Sequence, residues 1–430
     1  MSASVSTPLR TVGDRCPGAI RLHDAADGPL ARIRVPGGLL RADAAAALAT
    51  LATSVGDGQV HLTVRGNVEL RGIRDPAGLF DGLLAAGLLP SSAHERARNI
   101  VASPLAGLDG EGHCGRVGFA DMVGRLDAAI CAAPGLVSLS GRFLFGLDDG
   151  RGDVLAQRPD LGVRLAGRRT ARLLVDGAES ETIVARSDVP GVLVAAALAF
   201  VDSAQVRDGG AWRVRDASSP GLIARLDAAA RAAATTPVAA PTDSTDAPPT
   251  GAARPDHPVG LVARRPQSPD GAPGRAITVG AILPLATTDA DTWRRLATHA
   301  RRGDGLVRTT PWRGVLIGGL SDADAAAILR DLAEAGLVVD EADPVRRLTA
   351  CTGLPGCARS LADVRARALA SAGVGGRSYD DIPVDADLLA GRTVYWAGCE
   401  RRCGHPGTPH VAHIATPDGF VTRENGMRTA

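Results

Sequence analysis

The chain has 430 residues, 45% of them hydrophobic and 22% charged, with a formal net charge of +1 at pH 7. That length suffices for roughly two to three ordinary domains with sizeable cores, and the balanced charge excludes any global argument for nucleic acid or an anionic membrane as partner. All 48 basic residues are arginine, so every cationic role falls to a planar guanidinium, which pairs well with carboxylates.

The opening MSASVSTPLRTVGDR lacks an apolar stretch of the kind that directs secretion. A soluble, cytoplasmic protein is expected. In that compartment cysteine clusters point to metal or redox chemistry more than to disulfides. From residue 30 the order reads strand (LARIRVP), Ala-rich helix (41–53), alternating strand (QVHLTVRGNVEL) and a second helix (76–87). Such an order suits a small α+β layer. The longest apolar run, VPGVLVAAALAF (189–200), is too short to span a bilayer and reads as a buried helix. The Ala/Pro/Thr-rich stretch beginning at residue 228 has little periodicity and reads as a linker.

Beyond the linker the chain repeats itself. GDGQVHLTVRGNVELRGI (56–73) returns as GDGLVRTTPWRGVLIGGL (303–320), RIRVPGGLL (32–40) as GAILPLATT (280–288), LLAAGLLP (83–90) as DLAEAGLVVD (331–340), and HERARNIVASPLAG (94–107) as DPVRRLTACTGLPG (343–356). Order and offset are both kept, which marks a duplicated domain and not a solenoid. The copies diverge in one direction. Arg34 faces Ile282, Arg65 faces Trp312 and Ala102 faces Cys351, while Arg98 keeps a partner in Arg347. If the copies pack about a pseudo-twofold axis, one hybrid pocket forms, with cations on one side and thiols on the other.

The thiols are Cys351 and Cys357 in CTGLPGC, then Cys399 and Cys403 in GCERRC. This C-x5-C plus C-x3-C arrangement suits an iron–sulfur cluster. Zinc sites favour tighter pairs, and zinc or unliganded thiols remain as alternatives. Gly353, Gly356, Gly398 and Gly404 let backbone approach closely and aim amides at bound sulfides. Cys16, Cys114 and Cys131 show no paired spacing and are expected as small buried hydrophobes. HVAHIA reads as a strand that puts His410 and His413 on opposite faces, so His405, His410 and His413 are expected in structural roles. GVGGRS (373–378) follows no strand and is a poor phosphate loop.

The cysteine pattern together with the duplication resembles the sulfite and nitrite reductases. The resemblance implies a duplicated α+β architecture: two ferredoxin-like half-domains in pseudo-twofold symmetry (14–90 and 273–342), two larger α+β domains clasping a tetrapyrrole (91–227 and 343–430), and a linker over 228–272. It implies that Cys351, Cys357, Cys399 and Cys403 hold a 4Fe–4S cluster. It carries Arg34, Arg65 and Arg98 onto arginines that hold tetrapyrrole carboxylates or anionic substrate, and His61 falls where the reductases often have another arginine. Arg142 falls on the first of two reductase lysines, and the second falls on Leu144. Read from the residues alone, Arg34 and Arg65 on strands suit a solvated face, and Arg98 an ordinary helix-end cation.

The opening RCPGAIRLHDAADGPLARIRVPGG and the ending GCERRCGHP are more similar to the precorrin-3B synthase branch of that superfamily. That branch implies a monooxygenase with precorrin-3A, a tetrapyrrole, and dioxygen as substrates. It implies hydroxylation at C20 with γ-lactone formation in aerobic cobalamin biosynthesis. It allows a mononuclear non-haem iron, whose ligands are not readable, and argues against sirohaem. With no dinucleotide fingerprint in the chain, electrons are expected from an external NAD(P)H-dependent donor protein. A sirohaem-dependent sulfite or nitrite reductase, and a non-catalytic tetrapyrrole or cluster carrier, are the competing readings.

Overall fold

The computed structural model describes residues 14, 16–113, 118–207, 210–217, 219–238, 257–266, 275–374 and 383–425. The first copy opens with β1 (His23–Ala25), β2 (Gly28–Ile33) and β3 (Leu39–Arg41), followed by α1 (Ala42–Val55). Next come β4 (Gln59–Leu62), β5 (Val68–Leu70) and α2 (Pro76–Ala85). α2 starts where Pro76 presets the first turn and the Asp75 side chain accepts from the Gly78 amide.

A second layer follows, with β6 (Ile100–Ala102), α3 (Gly118–Cys131), β7 (Phe145–Asp148), β8 (Leu161–Leu165), β9 (Thr170–Val175) and β10 (Ala178–Ala185). It closes with α4 (Val189–Val201), α5 (Ala204–Arg207) and α6 (Pro220–Ala233). The apolar run expected as a buried helix is α4.

The second copy repeats the plan with β11 (Gly260–Pro266), β12 (Arg275–Ile282), β13 (Thr287–Asp289), α7 (Ala290–Ala300), β14 (Leu306–Thr309), β15 (Gly314–Leu320) and α8 (Asp322–Glu334). The last layer holds β16 (Leu348–Ala350), α9 (Val364–Ser371), α10 (Ala386–Leu389), β17 (Val394–Ala397), β18 (His410–Thr416) and β19 (Gly419–Asn425).

The two half-domains exchange strands. The first sheet runs β1-β2-β5-β4-β13 and the second β11-β12-β15-β14-β3. Thus β13 of the second copy pairs with β4, Thr287 opposite His61, and β3 of the first copy pairs with β14, Leu40 opposite Val307. α1 packs on α7, and one apolar core runs through both copies, with Leu48 and Trp293 fully buried in it. The two larger layers match as well. β6-β7-β8 and β16-β17-β18 are both parallel triplets extended by antiparallel strands. The fold is α+β, a duplicated ferredoxin-like architecture. No helix among the described residues is long and apolar enough to cross a membrane.

Two expectations change in detail. QVHLTVRGNVEL is not one strand but the hairpin β4–β5. Thr63 Oγ1 accepts from the amides of Arg65 and Asn67, and Gly66 takes a left-handed φ of 70°. Arg65 therefore sits on a turn. Inside the span read as linker, α6 continues to Ala233 and β11 pairs with β12. Residues 239–256 and 267–272 of that span lie outside the described residues.

Candidate functional site

The four thiols arise from two neighbouring loops. β16 and β17 run parallel with Ala350 opposite Trp396, so the loops leaving their ends emerge side by side. The Cys351 amide donates to Trp396 O (3.0 Å), the Leu361 amide to Gly398 O (2.8 Å) and the Gly398 amide to Cys351 Sγ (3.1 Å). Left-handed Gly353 (φ 68°) and Arg402 (φ 45°) turn the two loops back. Burial pushes the Cys351 thiol up, the nearby Cys357 and Cys399 add to this, and the Gly398 and Gly353 amides oppose it. The Tyr395 hydroxyl donates to Cys403 O (2.7 Å). Its phenol is raised by burial and by the Cys351, Cys403 and Cys399 sulfurs around it. Tyr395 thus lies near Cys351, Cys399 and Cys403.

This donor set fits a thiolate-bound cluster. An amide already points at one sulfur, as such clusters require. A single zinc ion draws its sulfurs to about 4 Å of one another, given bonds of about 2.3 Å. Among the described residues the one group of three ligand atoms within 4.8 Å is Asp148, Asp149 and Asp153, not the cysteines. That acidic trio stands after β7, where the pseudo-symmetric layer carries the cysteine loops. Its oxygens are taken up: Asp148 by the Gly150, Gly152 and Val154 amides, Asp149 by Arg151, and Asp153 by Ser103 Oγ.

Three of the four arginines come together. Arg34 is buried, with Nη2 donating to Gly141 O (3.0 Å) and Nη1 in reach of Asn99 Oδ1 (3.5 Å), while its Nε has no partner among the described residues. Burial and the neighbouring Arg32 lower its pKa. Arg65 Nη1 donates to Arg142 O (3.0 Å). Burial, Arg213 and Arg34 push the Arg65 pKa down to about 10, so one more guanidinium charge is disfavoured here and an anion is wanted. Arg142 is exposed, with its guanidinium 4.4 Å above the Trp212 ring. Cys16, expected as an inert hydrophobe, accepts from Arg32 (3.4 Å) and Arg34 (3.5 Å) beside this group.

Arg98 stands apart. It binds both oxygens of Asp127 at 2.8 Å and donates to Leu88 O (3.1 Å). Its guanidinium ties α3 to the turn after α2 instead of facing the other arginines. Leu144 is buried in an apolar cluster with Val101 and Val154.

Residues the sequence reading missed lie between the first half-domain and the cysteine loop. Arg71 makes a bidentate pair with Asp27 (2.7 Å for each bond) and donates to Gly356 O (3.3 Å). Arg365 donates to Leu285 O (3.0 Å) and to Thr287 Oγ1. His61 Nδ1 shares that hydroxyl (2.9 Å), and its buried Nε2 has no partner among the described residues. Burial, Arg365 and Arg71 push His61 down to about 3, so it is neutral. A signal for Arg71 was present: in the repeat it faces Gly318, the same one-sided pattern that singled out Arg34 and Arg65.

Of the histidines, His413 is locked between Asp385 (2.7 Å) and Thr422 (2.9 Å). His405 and His410 bond through Nδ1 to the carbonyls of Pro406 and Thr408. Cys131 ends α3, half-buried. Cys114 and most of GVGGRS lie outside the described residues.

The sequence and the fold have counterparts in known proteins. The nitrite/sulfite reductase ferredoxin-like half domain matches residues 23–77 and 270–335, the two exchanged half-domains described above. These two segments are thus similar to that half domain. The ferredoxin–nitrite reductase of Synechococcus elongatus is 27% identical over 93% of this chain and 78% of its own length. The precorrin-3B synthase of a Sinorhizobium species is equally similar, 27% identical over 96% of this chain and 82% of its own. In fold, the Mycobacterium tuberculosis NirA protein superposes with a TM-score of 0.63 at 21% identity, over 92% of this chain and 73% of that one.

Proposed function

We propose that the chain is a precorrin-3B synthase: an oxygenase that takes precorrin-3A and dioxygen, places a hydroxyl at C20 and closes an acetate arm to a γ-lactone. The observation that carries this reading is Leu144. The resemblance to the reductases puts a lysine there, and Leu144 is instead buried among Val101 and Val154. Reduction of a small oxyanion draws on cations that bind it and supply protons, and this position offers neither. The similarity to the Sinorhizobium precorrin-3B synthase along nearly the whole chain supports the same reading.

In this reading Cys351, Cys357, Cys399 and Cys403 hold a 4Fe–4S cluster, which when bound stores and relays single electrons. Arg34, Arg65 and Arg142 receive substrate carboxylates, each guanidinium offering a planar fork to one arm. Arg65, whose charge is disfavoured by its neighbours, gains most from a carboxylate. Arg98 instead ties α3 to the turn after α2 through Asp127 and Leu88 O. Mono-oxygenation consumes two electrons and two protons, and one oxygen atom leaves as water. An external donor protein supplies the electrons.

The equal similarity to a ferredoxin–nitrite reductase keeps a second reading, a sirohaem-dependent anion reductase. Turnover tests with and without dioxygen decide between them. A synthase converts precorrin-3A to a product one oxygen atom heavier when dioxygen and reductant are added, and does not reduce nitrite or sulfite. Reduction of either anion, with no change in precorrin-3A, overturns the proposal.

A further inference from the structure

Arg34 is a buried cation without a carboxylate. It is 3% exposed, its Nε has no partner, and no acidic oxygen lies within ion-pair reach of it among the described residues. Its neighbour Arg32 has a carboxylate of its own, with Nε donating to Glu69 at 2.7 Å. The group that meets the Arg34 charge is the Cys16 sulfur, 3.5 Å from Nη2, and the same sulfur lies 3.4 Å from Arg32 Nη1. A buried charge left alone is costly. Burial lowers the Arg34 pKa, and the Cys16 sulfur is first among the groups that oppose this.

The sulfur is fixed in that place by its own segment of chain. Asp14 Oδ1 accepts from the Cys16 amide (2.9 Å), and Asp14 Oδ2 accepts from Ser140 Oγ and from the Gly141 amide (2.9 Å each). Glu95 holds the same segment further on by accepting from the Ala19 amide. A Cβ on Gly141 would stand 3.0 Å from Arg34 Nη2 and 3.1 Å from Cys16 Sγ. Its absence leaves room beside the sulfur and the guanidinium.

The nucleophilic form of a cysteine is the sulfur anion, and flanking arginines are one way a protein supports it. Oxidation follows that character. We propose that Cys16 is a modification site, oxidised by a small peroxide because Arg32 and Arg34 flank its sulfur. In the first step one peroxide oxygen bonds to sulfur, the O–O bond breaks and the other oxygen leaves as water. The thiol becomes a sulfenic acid, and sulfur gives two electrons to the peroxide. A second peroxide adds another oxygen in the same way, and the sulfinic acid so formed releases its proton to water. The sulfinate has one negative charge and two oxygens, the pattern that a guanidinium fork binds. Oxidised Cys16 therefore takes Arg34 away from any carboxylate ligand. The inference goes beyond the synthase and reductase readings, since it rests on three side chains to which both leave this chemistry unassigned.

The test treats the anaerobically purified protein, cluster in place, with hydrogen peroxide and follows each cysteine by peptide mass. Cys16 is 8% exposed, so the reagent must be small. The Cys16 peptide is expected to gain one and then two oxygen atoms about tenfold faster than the Cys131 peptide. Cys131 is the comparator because burial and Asp127 push its thiol up. Arg34→Gln and Arg32→Gln should each slow oxidation of Cys16 several-fold. The Arg32 side chain is 28% exposed, so its replacement serves even if the Arg34 variant does not fold. Oxidation of Cys16 no faster than that of Cys131, or a Cys16 rate that neither arginine variant changes, overturns the inference. Both readouts are masses of peptides, so they hold whichever reaction the enzyme performs.

Discussion

The Arg71 guanidinium donates to the carbonyl of Gly356 at 3.3 Å across 285 positions of chain, joining the first half-domain to the loop between Cys351 and Cys357. Its other face is held by Asp27 in a bidentate pair, with the Arg71 side chain 10% exposed. One strap from the arginine-rich copy therefore braces the thiol-bearing copy.

Removing that strap should loosen the cysteine loop. Arg71→Ala leaves Asp27 without its partner and is expected to cost about 2 kcal/mol of stability. Iron release to a chelator should quicken several-fold in the same variant. Thermal unfolding and chelation rates check this, and an unchanged release rate would confine Arg71 to the first half-domain.

Gly356 tests the same contact from the other side. A Cβ there would stand 2.8 Å from Arg71 Nη2, 2.7 Å from Thr352 Cγ2 and 3.0 Å from Asp27 Oδ2. Gly356→Ala is therefore expected to push the loop off its brace and lower iron and sulfide content. Gly404→Ala is the control: a left-handed glycine on the other loop with nothing within 4 Å, where backbone strain acts without a clash.

Arg65 and Arg98 should separate cleanly. Arg65→Ala is expected to weaken tetrapyrrole binding at least tenfold while the cluster spectrum is preserved. Arg98→Ala should instead destabilise the fold by about 3 kcal/mol, because Asp127 is left unpaired, with little selective loss of binding. Titration of a tetrapyrrole into both variants, alongside urea unfolding, tells the two roles apart.

The acidic trio predicts a pH dependence. Burial and the nearby Asp148 raise the Asp153 carboxyl from 3.8 to about 7. A group raised on folding contributes stability that is complete below its unfolded pKa and is lost as pH rises through the folded one. Stability should therefore decline between about pH 4 and pH 7, and Asp153→Asn, which still accepts from Ser103, should flatten that decline. Unfolding midpoints across this range give the answer.

Much of this was legible in the residues. The duplication and the strand–helix order followed from repeated segments, and the two cysteine pairs from their spacing. The strand exchange was not, because β3 and β13 are three residues long and carry no hydrophobic period of their own. Arg65 moved from strand to turn because the Thr63 hydroxyl and Gly66 close a hairpin that the alternating pattern hides. Arg98 could not be told from the other arginines, since its partner Asp127 lies on a helix met only in space.

The most direct test of the central claim is a visible spectrum of protein purified without oxygen, with iron and acid-labile sulfide assayed on the same sample for wild type and Cys403→Ser. The account predicts a broad thiolate-bound cluster absorption with about four sulfides per chain, no sharp sirohaem bands, and loss of the cluster in the variant. Strong sirohaem bands, or a Cys403→Ser protein that keeps its full iron and sulfide, would contradict it.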